Sequence, residues 1–238
     1  MDTPQPDENT KFPVKPHEYE RVMNEKRERE RRKGEIERRE NENKRKREIV
    51  SILGGIKPFE DFTFEKFRRE EAPEAYEAAV RFNPGTDNLF FYGPNDLGKS
   101  HLLKAVAHRC LDFRKSVVCW LWPNISNQLR ILEGKFDFEG KQRLIDSAIE
   151  AEVLAIEEFG FGPVSDSIVS FWFEILEGRV NARRNGFIGA SNLPLATSRK
   201  DMLDIRKKWG GKIYSRVMRL CPPDKIIFFS SQKGSPAP

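Results

Sequence analysis

A chain of 238 residues, 38% hydrophobic and 33% charged, is long enough to bury a sizeable core in one α/β domain and to carry a tail besides. No apolar run approaches the ~20 residues of a membrane span, and the polar N-terminus lacks the apolar stretch of a secretory signal, so the sequence reads as cytoplasmic with no membrane partner. Cys110, Cys119 and Cys221 are odd in number and lack CxxC spacing, which supports neither a disulfide framework nor a zinc site, and a net charge of +5 permits a nucleic-acid partner without demanding one.

Composition divides the chain into a charged tail at 1–48, a folded domain at 49–232 and a loose C-terminal tail at 233–238. Met1 to Tyr19 holds four prolines and almost no apolar pattern, which predicts disorder. Glu20 to Glu48 holds thirteen Lys/Arg and nine Glu, with only Val22, Met23 and Ile36 apolar. Three such residues cannot build a heptad seam, which excludes a coiled coil. Acid-to-base pairs four apart, such as Glu25–Arg29 and Glu28–Arg32, support a solvated helix. The tail is either that helix alone or a basic arm touching nucleic acid or protein.

Phe59, Phe62, Phe64 and Phe67 crowd into nine positions and mark the start of the folded domain near Ile49. Phe62-Thr63-Phe64 alternates like a short extended piece, and a helix is predicted from about Ala72 to Arg81. After the turn at Pro84-Gly85, the apolar run Leu89-Phe90-Phe91-Tyr92 leads into Gly93-Pro94-Asn95-Asp96-Leu97-Gly98-Lys99-Ser100-His101, followed by a helical pattern. Gly93 to Ser100 fits GxxxxGK[ST] between a strand and a helix, which is the context of a phosphate-binding loop. A triphosphate needs converging backbone N–H groups and little side-chain bulk, and a helix N-terminus behind the loop adds a favourable dipole. Lys99 then addresses the β and γ phosphates, and the Ser100 hydroxyl ligates Mg²⁺. Asp96 stands where many such loops carry glycine, and its carboxylate faces phosphates or resists a positive φ.

Val117 to Trp122 reads as a buried parallel strand stopped by Pro123. Helices are predicted over Ile125 to Glu133 and Lys141 to Ala151. Val153-Leu154-Ala155-Ile156 then runs into Glu157-Glu158, an apolar strand ending in two acids about sixty residues after the phosphate loop. In a Walker B element of this kind Glu157 helps hold Mg²⁺ and Glu158 polarises the attacking water. A helix follows over Ser165 to Asn185, then a strand over Gly186 to Ser191 with Asn192 at its C-terminal end. Spacing alone makes Asn192 a turn-capping residue. Trp209 to Leu220 reads as a loop and then a helix, and Lys225 to Phe229 as a last strand.

These segments together resemble the AAA+ ATPases of the DnaC/IstB type, the bacterial replicative-helicase loaders and transposition helper ATPases. The resemblance runs from about Ile49 to Gln232. It rests on Thr63-Phe64-Glu65-Lys66-Phe67, Gly93 to Ser100 with His101-Leu102, Val153 to Gly160, Phe173 to Arg179, Ser191-Asn192-Leu193-Pro194 and Ile213-Tyr214-Ser215-Arg216. It implies a three-layer αβα P-loop domain with a parallel five-stranded sheet and no C-terminal helical lid, binding ATP and Mg²⁺. It also implies that Asn192 senses the γ-phosphate and that Arg216 is an arginine finger completing a neighbour's site, with Arg219 as the alternative, so that the protein works as a homo-oligomer. Without the resemblance Arg216 reads as a solvated helix residue.

In such families the segment after the second strand contacts single-stranded DNA, which here offers Arg130, Lys135, Lys141 and Arg143, residues that read equally well as surface charge. The function implied is that of a DNA-acting ATPase, foremost a helicase loader with a replicative helicase as partner. A transposition helper with a transposase partner is the close alternative. A nucleotide-dependent adaptor with little hydrolysis is the alternative of another class, suggested by Asp96 and Glu157. A small-molecule kinase fits less well, since no basic lid follows Asn192.

Overall fold

The computed structural model describes residue 21, residues 23–38 and residues 61–230. The start of the domain near Ile49, Phe59, the proline-rich stretch before residue 20 and the C-terminal tail lie outside the described residues. Helix α1 (residues 23–38) belongs to a unit separate from the domain. It is exposed along almost its whole length, and the Arg32 Nη2 atom lies 3.3 Å from Glu28 Oε1, one turn away. A helix this polar on all sides owes its local support to such pairs.

The domain is an α/β P-loop fold whose five strands are all parallel, in the order β2-β3-β4-β1-β5. The strands are β1 (Leu89–Tyr92), β2 (Val117–Leu121), β3 (Val153–Glu157), β4 (Phe187–Ser191) and β5 (Ile226–Phe228). Helix α2 (Pro73–Arg81) precedes β1, and between the strands run α3 (Lys99–Asp112), α4 (Trp122–Gly134), α5 (Phe138–Glu150), α6 (Asp166–Asn181) and α7 (Ile205–Leu220).

Alternation along each strand builds the layers, because successive side chains leave a strand on opposite faces. Leu89 and Phe91 pack with Val117, Cys119, Val153, Ala155 and Ile188 against α2 and α3. Phe90 and Tyr92 pack with Trp120, Leu154, Ile156 and Phe187 against α4, α5, α6 and α7. Both faces are therefore covered, which is why these strands read as continuous apolar runs. Phe90 has no exposed surface, and truncating such a ring to alanine costs about 3–5 kcal/mol.

Three local departures from the sequence reading have physical causes. Phe62-Thr63-Phe64 joins no sheet among the described residues. Its rings are used against α3 and α2 instead, with Phe62 edge-on to His101 of α3 at 5.5 Å and Phe64 edge-on to Tyr76 of α2 at 6.0 Å. Pro123 does not merely stop β2, since it sits in the first turn of α4, where its missing N–H has no helical partner to lose. Helix α7 begins at Ile205 and not after the glycines. Asp204 caps it through the Lys207 amide at 2.6 Å, and Gly210, with φ 84° and ψ 165°, breaks it into two pieces.

The topology sets the site. Tyr92 is paired with Ser191 across β1 and β4, and β3 lies on the other side of β4. The carboxyl ends of β3, β4 and β1 therefore stand side by side. Open parallel sheets bind ligands at that edge.

Candidate functional site

The turn from β1 into α3 needs glycine at two points. Gly93 has φ 137°, and a Cβ there would lie 2.3 Å from the Phe229 carbonyl oxygen. Gly98 has φ 83°, and a Cβ there would meet the Phe67 ring at 2.5 Å. Gly98 is also the N-cap of α3, and no side chain caps the helix. Its first amides are thus left for a ligand. Asp96 adopts φ 61°, a left-handed conformation that aspartate tolerates better than most residues.

Lys99 is buried, and its ammonium donates to the Gly93 carbonyl at 2.9 Å and the Pro94 carbonyl at 2.5 Å. Burial lowers its pKa to about 8, with Asp96 pulling the other way. The lysine lines a cleft of about 540 Å³ together with Asn95, Asp96, Gly98, Ser100, Glu158, Phe161, Ala190 and Asn192. That volume lies within the ~300–1,000 Å³ typical of small-molecule sites.

Glu158 stands on the cleft wall opposite the loop, at φ 53° immediately after β3. The strained residue is fixed by its neighbours. The Phe159 amide donates to the Ala190 carbonyl at 2.7 Å, and the Ser191 hydroxyl donates to the Phe159 carbonyl at 2.8 Å. Behind this, Trp209 Nε1 donates to the Gly160 carbonyl at 2.8 Å. Burial raises the Glu158 pKa, the adjacent Glu157 adds to the rise, and Lys104 opposes it.

Glu157 is oriented differently. It is buried, and Lys104 Nζ lies 3.0 Å from its Oε1 and 2.9 Å from its Oε2. Among the described residues Glu157 stands outside the cleft lining. Lys104 escaped the sequence reading, although a lone lysine among Leu102, Leu103, Ala105, Val106 and Ala107 on a helix apolar all round signals a buried, paired cation.

Of the nine residues predicted around the phosphates, Asn95, Asp96, Gly98, Lys99 and Ser100 line the cleft. Gly93 and Pro94 hold Lys99 through their carbonyls, and Leu97 packs into the core beside α3. His101 faces away, with Nε2 2.7 Å from the Thr63 carbonyl and its ring edge-on to Phe62 and Phe67.

Arg216 does not line this cleft. Its Nε donates to Glu177 Oε2 at 2.5 Å, and its guanidinium lies 4.9 Å from the Phe173 ring centre. Arg219 is more exposed and 4.0 Å from the same carboxylate.

The four basic residues proposed for DNA lie along α4, the following turn and α5. Lys141 pairs with Glu133 at 3.2 Å, Arg143 is 3.5 Å from Glu139, and Arg130 donates to Asn127. Phe136 and Phe138, absent from the sequence prediction, stand 76% and 71% exposed in the same turn.

The model of a family described as IstB-like ATP binding protein matches residues 20–206. The chain is 27% identical over 159 residues to the chromosomal replication initiator protein DnaA of Campylobacter fetus subsp. fetus (strain 82-40), covering 63% of this chain and 35% of that protein. It is 28% identical over 110 residues to the putative insertion sequence ATP-binding protein y4pL of Sinorhizobium fredii (strain NBRC 101917 / NGR234), covering 46% of this chain and 43% of that one. The chain thus spans well under half the length of these curated relatives. Among solved structures, the crystal structure of the DnaC helicase loader superposes with a TM-score of 0.55 at 15% identity, covering 74% of this chain and 100% of that one, a likeness of fold.

Proposed function

Because the chain belongs to the family of IstB-like ATP-binding proteins, we propose that it hydrolyses ATP in the cleft between the phosphate loop and Glu158. It completes each such site with Arg216 of a neighbouring copy, and acts on single-stranded DNA as a cytoplasmic loader of a replicative helicase. The observation that carries the reading is the convergence of Lys99, Ser100, Glu158 and Asn192 on one cleft.

The chemistry follows from these residues. On entry of a triphosphate, Lys99 exchanges the carbonyls of Gly93 and Pro94 for phosphate oxygens. The uncapped amides of α3 and the helix dipole hold the remaining negative charge. The Ser100 hydroxyl, on the cleft wall, is the hard oxygen donor that magnesium takes, whereas Glu157 is committed to Lys104. A magnesium ion held there with the nucleotide would supply charge neutralisation to the phosphoryl oxygens. Glu158, whose pKa is raised by burial, accepts the proton of the attacking water, because a base closer to working pH transfers protons more effectively. Asn192 orients that water. Arg216 supplies positive charge to the transition state in a neighbour's cleft, so hydrolysis requires assembly.

Exposed Phe136 and Phe138 support the DNA reading, since single strands are bound by base stacking as well as by phosphate contacts. No helix among the described residues is long and apolar enough to cross a membrane. A second reading, a transposition helper acting with a transposase, is favoured by the family match and by the likeness to y4pL. Stimulation of a purified transposase, with no effect on helicase loading, would select it.

The test is ATP hydrolysis against protein concentration, with and without single-stranded DNA, on the wild type and Glu158→Gln. The reading expects turnover that rises more than linearly with concentration and is lost in the variant. No hydrolysis under any condition would overturn it and leave a nucleotide-gated adaptor.

A further inference from the structure

We propose that Lys104 withdraws Glu157 from metal binding, so that the acid ending β3 is a structural counter-ion in this protein and contributes nothing to its magnesium requirement. The inference rests on the nucleotide-binding reading of the cleft.

Three observations carry it. First, the ammonium of Lys104 lies within 3.0 Å of both carboxylate oxygens of Glu157, and the two side chains are 5% and 8% exposed. The hydrogen bond goes to Oε1, and Oε2, although 2.9 Å from the ammonium, is buried and accepts none. The charge of the carboxylate is nonetheless balanced in place by the ammonium, out of contact with bulk water, which weakens its attraction for a further cation. Second, the cleft is lined by Glu158 and Ser100 and, among the described residues, not by Glu157. Of the two acids that end β3, the second lines the cleft and the first does not. Third, the lysine is held from its other side, with Nζ 4.5 Å from the centre of the Phe62 ring. The aromatic face favours the cation where it stands.

The arrangement follows from helix geometry. Lys104 is one turn after Ser100, and residues four apart share a helix face. The hydroxyl thus looks into the cleft while the ammonium sits behind it on the same side of α3, against the end of β3. The glutamate, one methylene longer than aspartate, supplies the reach to Lys104.

The experiment measures the affinity of a fluorescent ATP analogue in excess magnesium and in EDTA, for the wild type, Glu157→Gln and Lys104→Met. The readout is the ratio of the two affinities. The glutamine keeps an oxygen for Lys104, so the proposal expects Glu157→Gln to leave the ratio within about twofold of the wild type. Lys104→Met releases the acid, and the ratio is expected to rise about fivefold or more, roughly 1 kcal/mol. A ratio that falls about fivefold or more in Glu157→Gln, or that does not move in a folded Lys104→Met, would overturn the proposal. Should Lys104→Met fail to fold by circular dichroism, since removing one member of a buried pair strands the other, Glu157→Gln decides alone. Absence of analogue binding by the wild type in both conditions would instead remove the nucleotide reading itself, a result distinct from any change of ratio.

Discussion

Arg216 and Glu177 are joined through Nε and Oε2 at 2.5 Å, between α7 and α6, with the guanidinium stacked over Phe173. The hydrogen bond from Arg216 holds the Glu177 carboxyl below the usual carboxylate range. Nε binds Glu177 and Nη1 donates to the Ser215 hydroxyl at 2.9 Å, so among the described residues Nη2 is the nitrogen left to donate to a neighbouring phosphate. Glu177 is thus a positioning residue for the proposed finger. Glu177→Ala is expected to lower kcat about tenfold while leaving the nucleotide Kd of the isolated chain unchanged, an effect smaller than the ~100-fold of deleting a transition-state donor outright. Equal kcat in steady-state assays would contradict this.

Lys99 gives the site a pH dependence. In the free protein its pKa is lowered to about 8 by burial, and contact with a triphosphate raises it again. Binding therefore takes up a proton when the pH is near or above 8. Nucleotide affinity is expected to hold steady from pH 7 to 8 and to fall by up to about tenfold per unit above that. Calorimetry in two buffers of different ionisation enthalpy, at pH 8.5, should report the uptake. An affinity that stays flat to pH 9.5 would exclude the role given to Lys99.

Asp96 lines the cleft with a carboxylate and holds a left-handed backbone at φ 61°. Replacement by glycine removes both the like charge beside the phosphates and the conformational strain. It also lowers the Lys99 pKa further in the free protein, since Asp96 supports the charged lysine, but contact with the triphosphate raises that pKa again. The repulsion therefore wins, and Asp96→Gly should tighten ATP binding at pH 7 by about fivefold, near 1 kcal/mol. Weaker binding in a fluorescence titration would show that Asp96 serves the site.

The turn between α4 and α5 carries the DNA proposal on its aromatic residues more than on its charges. Lys141 and Arg143 already face Glu133 and Glu139, whereas Phe136 and Phe138 are exposed. The double variant Phe136→Ala, Phe138→Ala is expected to weaken binding of an oligonucleotide of thymidines by about 1–3 kcal/mol per stacked base. Lys135→Ala should reduce the salt slope by about 0.7. Unchanged anisotropy titrations for the double variant would move the DNA contact elsewhere.

What was legible in the sequence was whatever local spacing dictates. The step from β1 through Gly93 and Gly98 into α3 is written in consecutive residues, and so is the apolar run that ends at Glu157. The alternation of Phe90 and Phe91 between two cores follows from strand geometry alone. What could not be read was pairing across distance. Lys104 and Glu157 are separated by 53 positions, and Glu177 and Arg216 by 39. No periodicity reports that such residues meet. The early start of α7 was missed because Gly210 and Gly211 suggest a loop, while the cap at Asp204 and the burial of Ile205 and Trp209 carry a short helical piece up to the break. His101 adjoins the phosphate loop in sequence, but its position on α3 turns it towards Thr63.

The central claim is that one chain supplies the cleft and another the arginine. Arg216→Ala keeps Lys99, Ser100, Glu158 and Asn192 but lacks the finger, and Glu158→Gln keeps the finger but lacks the base. Each variant alone should be inactive. Mixed in equal amounts at a concentration where the wild type assembles, they pair an intact cleft with an intact arginine at a fraction of the interfaces. The account expects ATP hydrolysis to return to about a quarter of the wild-type rate, the statistical share for random mixing with a trans arginine. A mixture as inactive as its parts, with both variants binding nucleotide and assembling normally, would contradict it.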